Sequence, residues 1–471
     1  MTSKVPGVKN TVVMSLSSDP IQRSFLWIEK TKEELIDLVL EQQDRIKALE
    51  EKLEKLEQKQ RSKFSKQFST IKKKRWKKLG SPIGHEGSTR PLPDHIDEIV
   101  HETLGYCPSC KSDSLSELPS ESIEHIQEDI IPARVHVTKF IRHGYWCAHC
   151  KHKQYAAYAP EQIPYGYLGP NILVHTLLLK YHHGLPYSKI KLLFEELCGL
   201  TVTDSALAFS LQRLGTWLKI EEEEILKAVR ASPHIHCDET GWKIAGSNHW
   251  LWAFVNQRLA LYKVRSSRGR IVPQEVLTQK YDGVVITDFL SAYNKTGKRR
   301  QRCLVHLLRE MRDCRKTDRS EEYLLYDKKL RRLLYDAGRL NDQRLDLLPW
   351  VFLRRVRFLK SRLLNFSCTV FSNKNWQRLS KRFLRHQEEL LTFLEVPGLP
   401  KDNNHAERMI RPNVIFRKIS FQNMSRKGSD AHETLMSLLQ TLRLQDKNPI
   451  PFLKEAYLRH RKGNPEPVLS F

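Results

Sequence analysis

Hydrophobic and polar positions along this chain change period several times, and each change marks a different kind of element. From Leu35 the seam residues Leu35, Val39, Gln42, Ile46, Leu49, Leu53 and Leu56 alternate in steps of four and three, with Glu and Lys between them. Such spacing keeps one stripe of a helix facing a partner, and the single polar seam residue Gln42 resembles the register-fixing device of two-stranded coils. Residues 31–60 are therefore expected to form a leucine-zipper-like coiled coil holding a homodimer or larger assembly; a helix lying on its own protein is the alternative. Residues 1–30 have no sustained period and read as an irregular leader. Farther on, residues 172–181 and 190–197 are apolar runs of helical length, Gly199 ends the second, and Thr203 is placed to cap a helix over 204–218. Helix, glycine turn and capped helix is a helix-turn-helix layout, so 161–230 is read as a helical DNA-binding region, against a plain helical hairpin packed on its neighbour.

From residue 233 the pattern becomes strand-like. Residues 234–237, 250–256 and 259–265 are short β-rich runs separated by turn residues, and they read as a meander. Residues 272–280 predict a helix, 283–287 a fully apolar strand ending at Asp288, and 302–305 a fifth strand. Three strands, helix, strand, helix, strand is the element order of a ribonuclease-H-like core, with its first part at 231–308. Residues 309–395 are helical in pattern and rich in Arg, including Arg331, Arg332, Arg354, Arg355, Arg357 and Arg382. They are expected to be a basic helical insertion that contacts DNA, and 396–471 the closing helices of the core with a tail.

Charge sharpens this picture. The 79 Lys and Arg against 54 Asp and Glu give a formal +25, spread over several segments, which suits a polyanionic partner. Within the linker 61–95, Lys72, Lys73, Lys74, Arg75 and Lys77 surround Trp76 with no acid from 61 to 78; that block is either a solvated linker or an arm that orders on DNA phosphates with Trp76 stacking. No run of about 18 apolar residues occurs and no signal peptide is legible, so no membrane partner and a cytoplasmic, nucleoid-associated location are expected.

Four of the nine cysteines form two Cys-x-x-Cys knuckles, Cys107 with Cys110 and Cys147 with Cys150. Four soft thiolates select tetrahedral Zn2+ in a reducing compartment, so 96–160 is expected to be a zinc-ribbon domain with a strand over 133–141. His143, His149 and His152 are spare ligands. The fold class that follows is multi-domain α+β, a ribonuclease-H-like α/β core with a helical insertion, a zinc-ribbon module and an N-terminal coiled coil.

The strand order sets Asp238 and Asp288 side by side. Paired carboxylates repel unless they share a proton or a cation, and Mg2+ (or Mn2+) is the ion for oxygen ligands when the substrate is itself a phosphate. Two such ions serve an in-line displacement. Glu407, in the early turns of a helix capped by Asp402, Asn403 or Asn404, is the candidate third carboxylate, with Arg411 one turn later on the same face; a surface Glu–Arg pair is the alternative. Glu239 points to the other side of its strand and is a fallback ligand. Arg411, Arg417 and Lys418 are candidate phosphate contacts near these carboxylates.

The runs His236-Cys237-Asp238-Glu239-Thr240-Gly241-Trp242, Thr287-Asp288-Phe289-Leu290-Ser291-Ala292-Tyr293, Cys303-Leu304-Val305-His306 and Asn404-His405-Ala406-Glu407-Arg408 through Arg411-Pro412 together resemble transposases of the insertion sequence 66 family. The likeness extends to the zipper-like N-terminus, the double knuckle, Gly84 to Gly87 and residues 414–449. It implies a DDE triad of Asp238, Asp288 and Glu407, auxiliary roles for Trp242 and His306, terminal inverted repeats and target DNA as partners, and small accessory proteins of the same element. Val305 and Leu308 depart from the family pattern, which commonly has Ala and a basic residue there.

Overall fold

The computed structural model describes residues 95–101, 103–116, 126–128, 133–160, 162–163, 166–317, 319–369, 371–461 and 466–471. The leader, the coiled coil expected at 31–60 and the arm bearing Lys72, Lys73, Lys74, Arg75, Trp76 and Lys77 lie outside them. A division of the chain falls at Gly80, and the described residues all belong to the second unit, Ser81–Phe471. No helix among them is long and apolar enough to cross a membrane.

Two short strands, β1 (Gly144–Cys147) and β2 (His152–Tyr155), pair antiparallel around the second knuckle, with Cys147 opposite His152. The strand expected at 133–141 is absent. Residues 133–141 are exposed and meet no partner strand, so their alternation has no face to bury. The helical region follows as α1 (Pro170–Leu177), running into a π-helical turn over Leu178–His182, then α2 (Tyr187–Cys198), α3 (Asp204–Trp217) and α4 (Lys219–Ala231). The punctuation is as the residues dictate. Gly199 ends α2 in the left-handed region at φ 65°, and the Thr203 hydroxyl accepts from the Ala206 N–H at 3.1 Å to open α3.

A five-stranded sheet organises the rest. In sequence its members are β3 (His234–Ile244), β4 (Ser247–Val255), β5 (Ala260–Arg265), α5 (Ile271–Leu277) on the crossover, β6 (Val284–Thr287) and β7 (Arg299–Arg302); across the sheet the order is β5-β4-β3-β6-β7. The first three strands are antiparallel, whereas β6 runs parallel to both β3 and β7. Two boundaries differ from expectation. β3 continues to Ile244, so Asp238 lies inside a long strand that turns into β4 through Ala245 and Gly246, both at positive φ as a two-residue hairpin requires. The fifth strand is 299–302 instead of 302–305, because Leu304 already opens a helix. Arg299, Arg300 and Arg302 do not look like strand residues; they are held there by acidic partners described below.

The edge strand β5 is buried from Ala260 to Val264, and its free edge is closed by side chains. Helix α11 (Arg426–Leu444) brings Glu433, Ser437 and Thr441, spaced one turn apart, against it. Their oxygens accept from the backbone N–H groups of Val264 (3.0 Å), Tyr262 (2.8 Å) and Ala260 (3.0 Å). A strand edge buried against a helix would otherwise leave those donors without acceptors. α11 is buried on every side from Ala431 to Leu442, and a Cβ on Gly215 of α3 would fall 2.8 Å from the Ala431 Cα, so glycine is what lets the two helices touch.

Between β7 and the closing helices come α6 (Leu304–Thr317), α7 (Glu321–Asp342), α8 (Pro349–Ser367) and α9 (Lys374–Leu390), followed by α10 (Asn404–Ser420), α11 and α12 (Pro449–Arg461). The insertion is bolted to the sheet through Glu389 of α9. Burial would raise its carboxyl, but His386, Arg302 and Arg300 hold it down at about 2. Arg302 Nε donates to it at 2.6 Å and Arg300 Nε at 2.7 Å.

Candidate active site

Asp238 and Asp288 are brought level by strand register. Parallel pairing sets His236 of β3 opposite Ile286 of β6, and each aspartate lies two residues farther on. The loop that Asp288 opens is fixed on both sides. Asp288 Oδ1 accepts from the Leu290 N–H at 2.9 Å, and the fully buried Arg302 donates to the Asp288 carbonyl at 2.8 Å and to Asn294 Oδ1 at 2.7 Å. The Asp238 carboxyl is pushed up to about 7, first by loss of water, then by the neighbouring Glu239 and Asp288, with Glu407 adding to it. A hard cation among these oxygens relieves that repulsion, so the donor set suits a divalent metal.

Glu407 comes from the first turn of α10, and its placement depends on Asn403. Asn403 stands at the cap position of the helix, yet its side chain makes no cap. It is fully buried and reaches to β3, where Nδ2 donates to the Cys237 carbonyl at 2.8 Å and Oδ1 accepts from His236 Nδ1 at 3.1 Å. The residue preceding Asp238 is thus tied to the helix that carries Glu407. Burial, then the nearby His405, holds His236 neutral, down at about 3, which keeps it a single-proton donor to that amide.

The Glu407 carboxylate itself is turned to α6. Arg309 donates to both of its oxygens, at 3.0 and 3.2 Å, and His306 Nε2 lies 3.6 Å away. Its guanidinium partner is therefore Arg309, from across the site. No group of three His, Cys, Asp or Glu among the described residues is gathered closely enough to hold a metal. Glu239 is also committed: Arg268 donates to it at 2.8 Å and the Tyr293 hydroxyl at 2.8 Å, and Arg268 in turn lies over Trp250.

A family model described as "Transposase IS66 family" matches residues 165–431, more than half of the chain, and one described as "zinc-finger binding domain of transposase IS66" matches residues 105–151. The chain belongs to the IS66 transposase family. Among its relatives is the uncharacterized protein y4jD of Sinorhizobium fredii (strain NBRC 101917 / NGR234), 24% identical over 412 residues, covering 79% of this chain and 78% of that one. The uncharacterized protein y4qI of the same organism is 24% identical over 415 residues, covering 79% and 74%.

In this IS66 transposase the zinc-finger domain has two knuckles of one design. Lys111 N–H donates to the Cys107 carbonyl at 2.8 Å and Lys151 N–H to that of Cys147 at 2.9 Å; both lysines sit at positive φ, 61° and 54°. The Cys107 thiol is lowered, foremost by the Cys110 backbone N–H, and the Cys147 thiol by that of Cys150, so each knuckle favours a thiolate, the form that binds zinc. Each pair is close, but the two pairs are not gathered into one set of four.

Other expected residues fall elsewhere. Trp242 is buried in the core, donating to Asn423 Oδ1 at 2.7 Å. Arg417 is bound to the Gly241 carbonyl and, at 3.3 Å, to Thr240 Oγ1, so it braces β3 from within, while Arg411 and Lys418 are exposed. In the insertion, Arg331 and Arg332 pair with Asp327 and Asp336 on their own helix, and Arg354, Arg355 and Arg357 are exposed along α8. Sequence reasoning missed Asn403 and Arg309. Asn403 was available only as one of three possible caps, and Arg309 only as one arginine at the start of a basic segment.

Proposed function

We propose that this chain binds the terminal inverted repeats of a mobile element and catalyses DNA strand cleavage and strand transfer on a ribonuclease-H-like core. The observation that carries the reading is the level placement of Asp238, within β3, and Asp288, just past the end of the parallel neighbour β6, with the helix of Glu407 fastened to β3 through Asn403. The strand order β5-β4-β3-β6-β7, antiparallel on one side of β3 and parallel on the other, supports the fold assignment. Asp238, Asp288 and Glu407 would hold two Mg2+ or Mn2+ ions, which when bound supply Lewis-acid activation of the attacking oxygen and stabilise the leaving one.

What the chain itself contributes is position and charge. Arg302 and Leu290 set the Asp288 loop, Asn403 ties β3 to α10, and Arg309 holds the Glu407 carboxylate. Arg411 and Lys418 stand exposed on the helix of Glu407 to take backbone phosphates. Cys107, Cys110, Cys147 and Cys150 form a structural zinc site once the two knuckles close on one ion. The segment 31–60 supplies dimerisation or larger assembly, 61–95 a DNA arm, 309–395 an insertion over the active site, and small proteins of the same element assist.

The test incubates purified protein with labelled element ends and a target plasmid in Mg2+ or Mn2+, beside Asp238→Ala, Asp288→Ala and Glu407→Ala. Joined products from the wild type and none from the three variants are expected. Joining that persists in all three removes the triad assignment.

A further inference from the structure

Beside the carboxylates the wall of the site opens into a cavity of about 540 Å³, bounded by the loop after Asp288, by α6 and by α9. Asp288 and Arg309 line both the cavity and the carboxylate site, so whatever fills it is joined to, or adjoins, the group handled at the metal ligands. Its floor is Phe289, half-buried, with the Arg382 guanidinium 5.1 Å from the ring centre and the His386 ring edge-on at 5.7 Å. Arg382 and His386 cover part of that ring, and the rest of it is half-buried at the open cavity.

The lining is charge-balanced. Arg309, Arg378 and Arg382 are matched by Asp288, Glu310 and Asp313, and Glu310 already takes both Arg378, at 3.5 Å, and Arg382. A phosphate placed there would face three carboxylates and find its guanidiniums engaged. A neutral planar group meets no such penalty. It gains an aromatic ring and a guanidinium plane to stack on, and a mixed set of donors and acceptors for its edge.

We propose that this cavity receives one unstacked nucleobase, from the nucleotide next to the phosphate held at Asp238, Asp288 and Glu407, lying against Phe289 and Arg382. The inference rests on the strand-cleavage reading above and adds a base-binding subsite to it. Taking a base out of the duplex costs least where pairing is already broken. Element ends carrying an unpaired nucleotide at the docked position accordingly bind more tightly than fully paired ones.

The experiment measures binding of the full chain to fluorescent element ends in Ca2+, with each nucleotide around the cleavage point replaced in turn by an abasic residue. Phe289→Ala is expected to weaken binding to the intact end about tenfold, to lose that defect at one abasic position only, and to be rescued by Phe289→Trp. A defect of equal size on every abasic end, or no defect, overturns the subsite while leaving the transposase reading in place. A defect abolished by a neutral methylphosphonate instead assigns the cavity to a backbone phosphate and also overturns it. Absence of wild-type binding to element ends removes the functional reading, and the subsite with it. Should Phe289→Ala not fold, 2-aminopurine at the same positions tests the wild type directly: a change of emission confined to one position is expected, and none at any position overturns the proposal.

Discussion

Arg309 grips both carboxylate oxygens of Glu407, at 3.0 and 3.2 Å, from a helix that belongs to the insertion side of the site. A guanidinium in that position competes with any cation that Glu407 is meant to share with the aspartates. Arg309→Ala is therefore expected to raise the affinity of DNA-free protein for Mn2+. The pair is partly exposed, so the gain is modest, about two- to fivefold, read by Mn2+ titration under electron paramagnetic resonance. An unchanged affinity would mean that Arg309 and the metal do not compete.

Asn403 calls for a separate test because it connects two of the proposed metal ligands without being one. Asn403→Ala leaves the Cys237 carbonyl and His236 Nδ1 without their partner in a fully buried place. Each orphaned group costs on the order of 1–3 kcal/mol. Asn403→Asp keeps an acceptor for His236 but sets a carboxylate oxygen against the Cys237 carbonyl, and is expected to be no better. Both variants should lose Mn2+ affinity at temperatures where circular dichroism shows them folded; retention of wild-type affinity would reduce Asn403 to a stabilising residue alone.

That residue also shows where sequence stops being informative. The meander, the crossover and the apolar strand before Asp288 were legible because their residues alternate or cluster in ways that only a buried sheet accommodates. Gly199 and Thr203 announced the turn between α2 and α3 by backbone conformation and capping chemistry, both local. β7 was misplaced by three residues, since Arg299, Arg300 and Arg302 do not read as a strand, and the partners that neutralise them there, Glu395 and Glu389, lie nearly a hundred residues away. Asn403 and Arg309 were illegible for the same reason: their roles are long-range contacts across the chain, and neither residue type carries a local mark. Asp238 and Asp288 could be paired from strand order, whereas Glu407 needed a family likeness, because 118 residues separate it from Asp288.

Two buried histidines make stability pH-dependent. His432 is held down at about 3 by burial, with Lys180 adding to it, and its Nε2 donates to Asn413 Oδ1 at 2.8 Å; His236 is likewise held at about 3. Both folded-state values lie below the ordinary 6.5, so the unfolded chain takes up protons that the folded chain refuses. The contribution is complete above the ordinary value and is lost as pH falls toward 3, at about 1.4 kcal/mol per pH unit for each group. Denaturation by urea at pH 8, 6 and 5 should show this fall, and His432→Gln should reduce its slope. An unaltered slope would place the acid sensitivity elsewhere.

Asp238 acts in the opposite sense. Its folded-state value, about 7, lies above the ordinary 3.8, so the stability it contributes is present below the ordinary value and is lost as pH rises through 7. Metal-free Asp238→Asn is then expected to be more stable than the wild type at pH 8, by on the order of 2 kcal/mol, with the advantage vanishing near pH 4. Saturating Mg2+ should narrow the gap at pH 8 by stabilising the wild type alone. Equal melting temperatures for the two metal-free proteins at pH 8 would remove the claim that burial and the neighbouring carboxylates disfavour the Asp238 charge.

The closed edge of β5 gives a prediction about the fold that is independent of catalysis. Ser437 Oγ accepts the Tyr262 N–H at 2.8 Å and donates to the Glu433 carbonyl at 2.6 Å, while Thr441 Oγ1 accepts the Ala260 N–H at 3.0 Å. Ser437→Ala removes the acceptor but leaves the Tyr262 N–H buried, so a loss of about 1–3 kcal/mol is expected, larger than the substitution of an exposed serine produces. Thr441→Val does the same to Ala260 while preserving volume. Because the two acceptors are one turn apart on α11 and serve the same strand, the double variant should depart from additivity. Amide exchange at Tyr262 and Ala260 provides the residue-level readout: each single variant should accelerate its own amide first, and acceleration of the whole of β5 in both would mean instead that α11 holds the edge as a unit by packing, with the hydroxyls incidental.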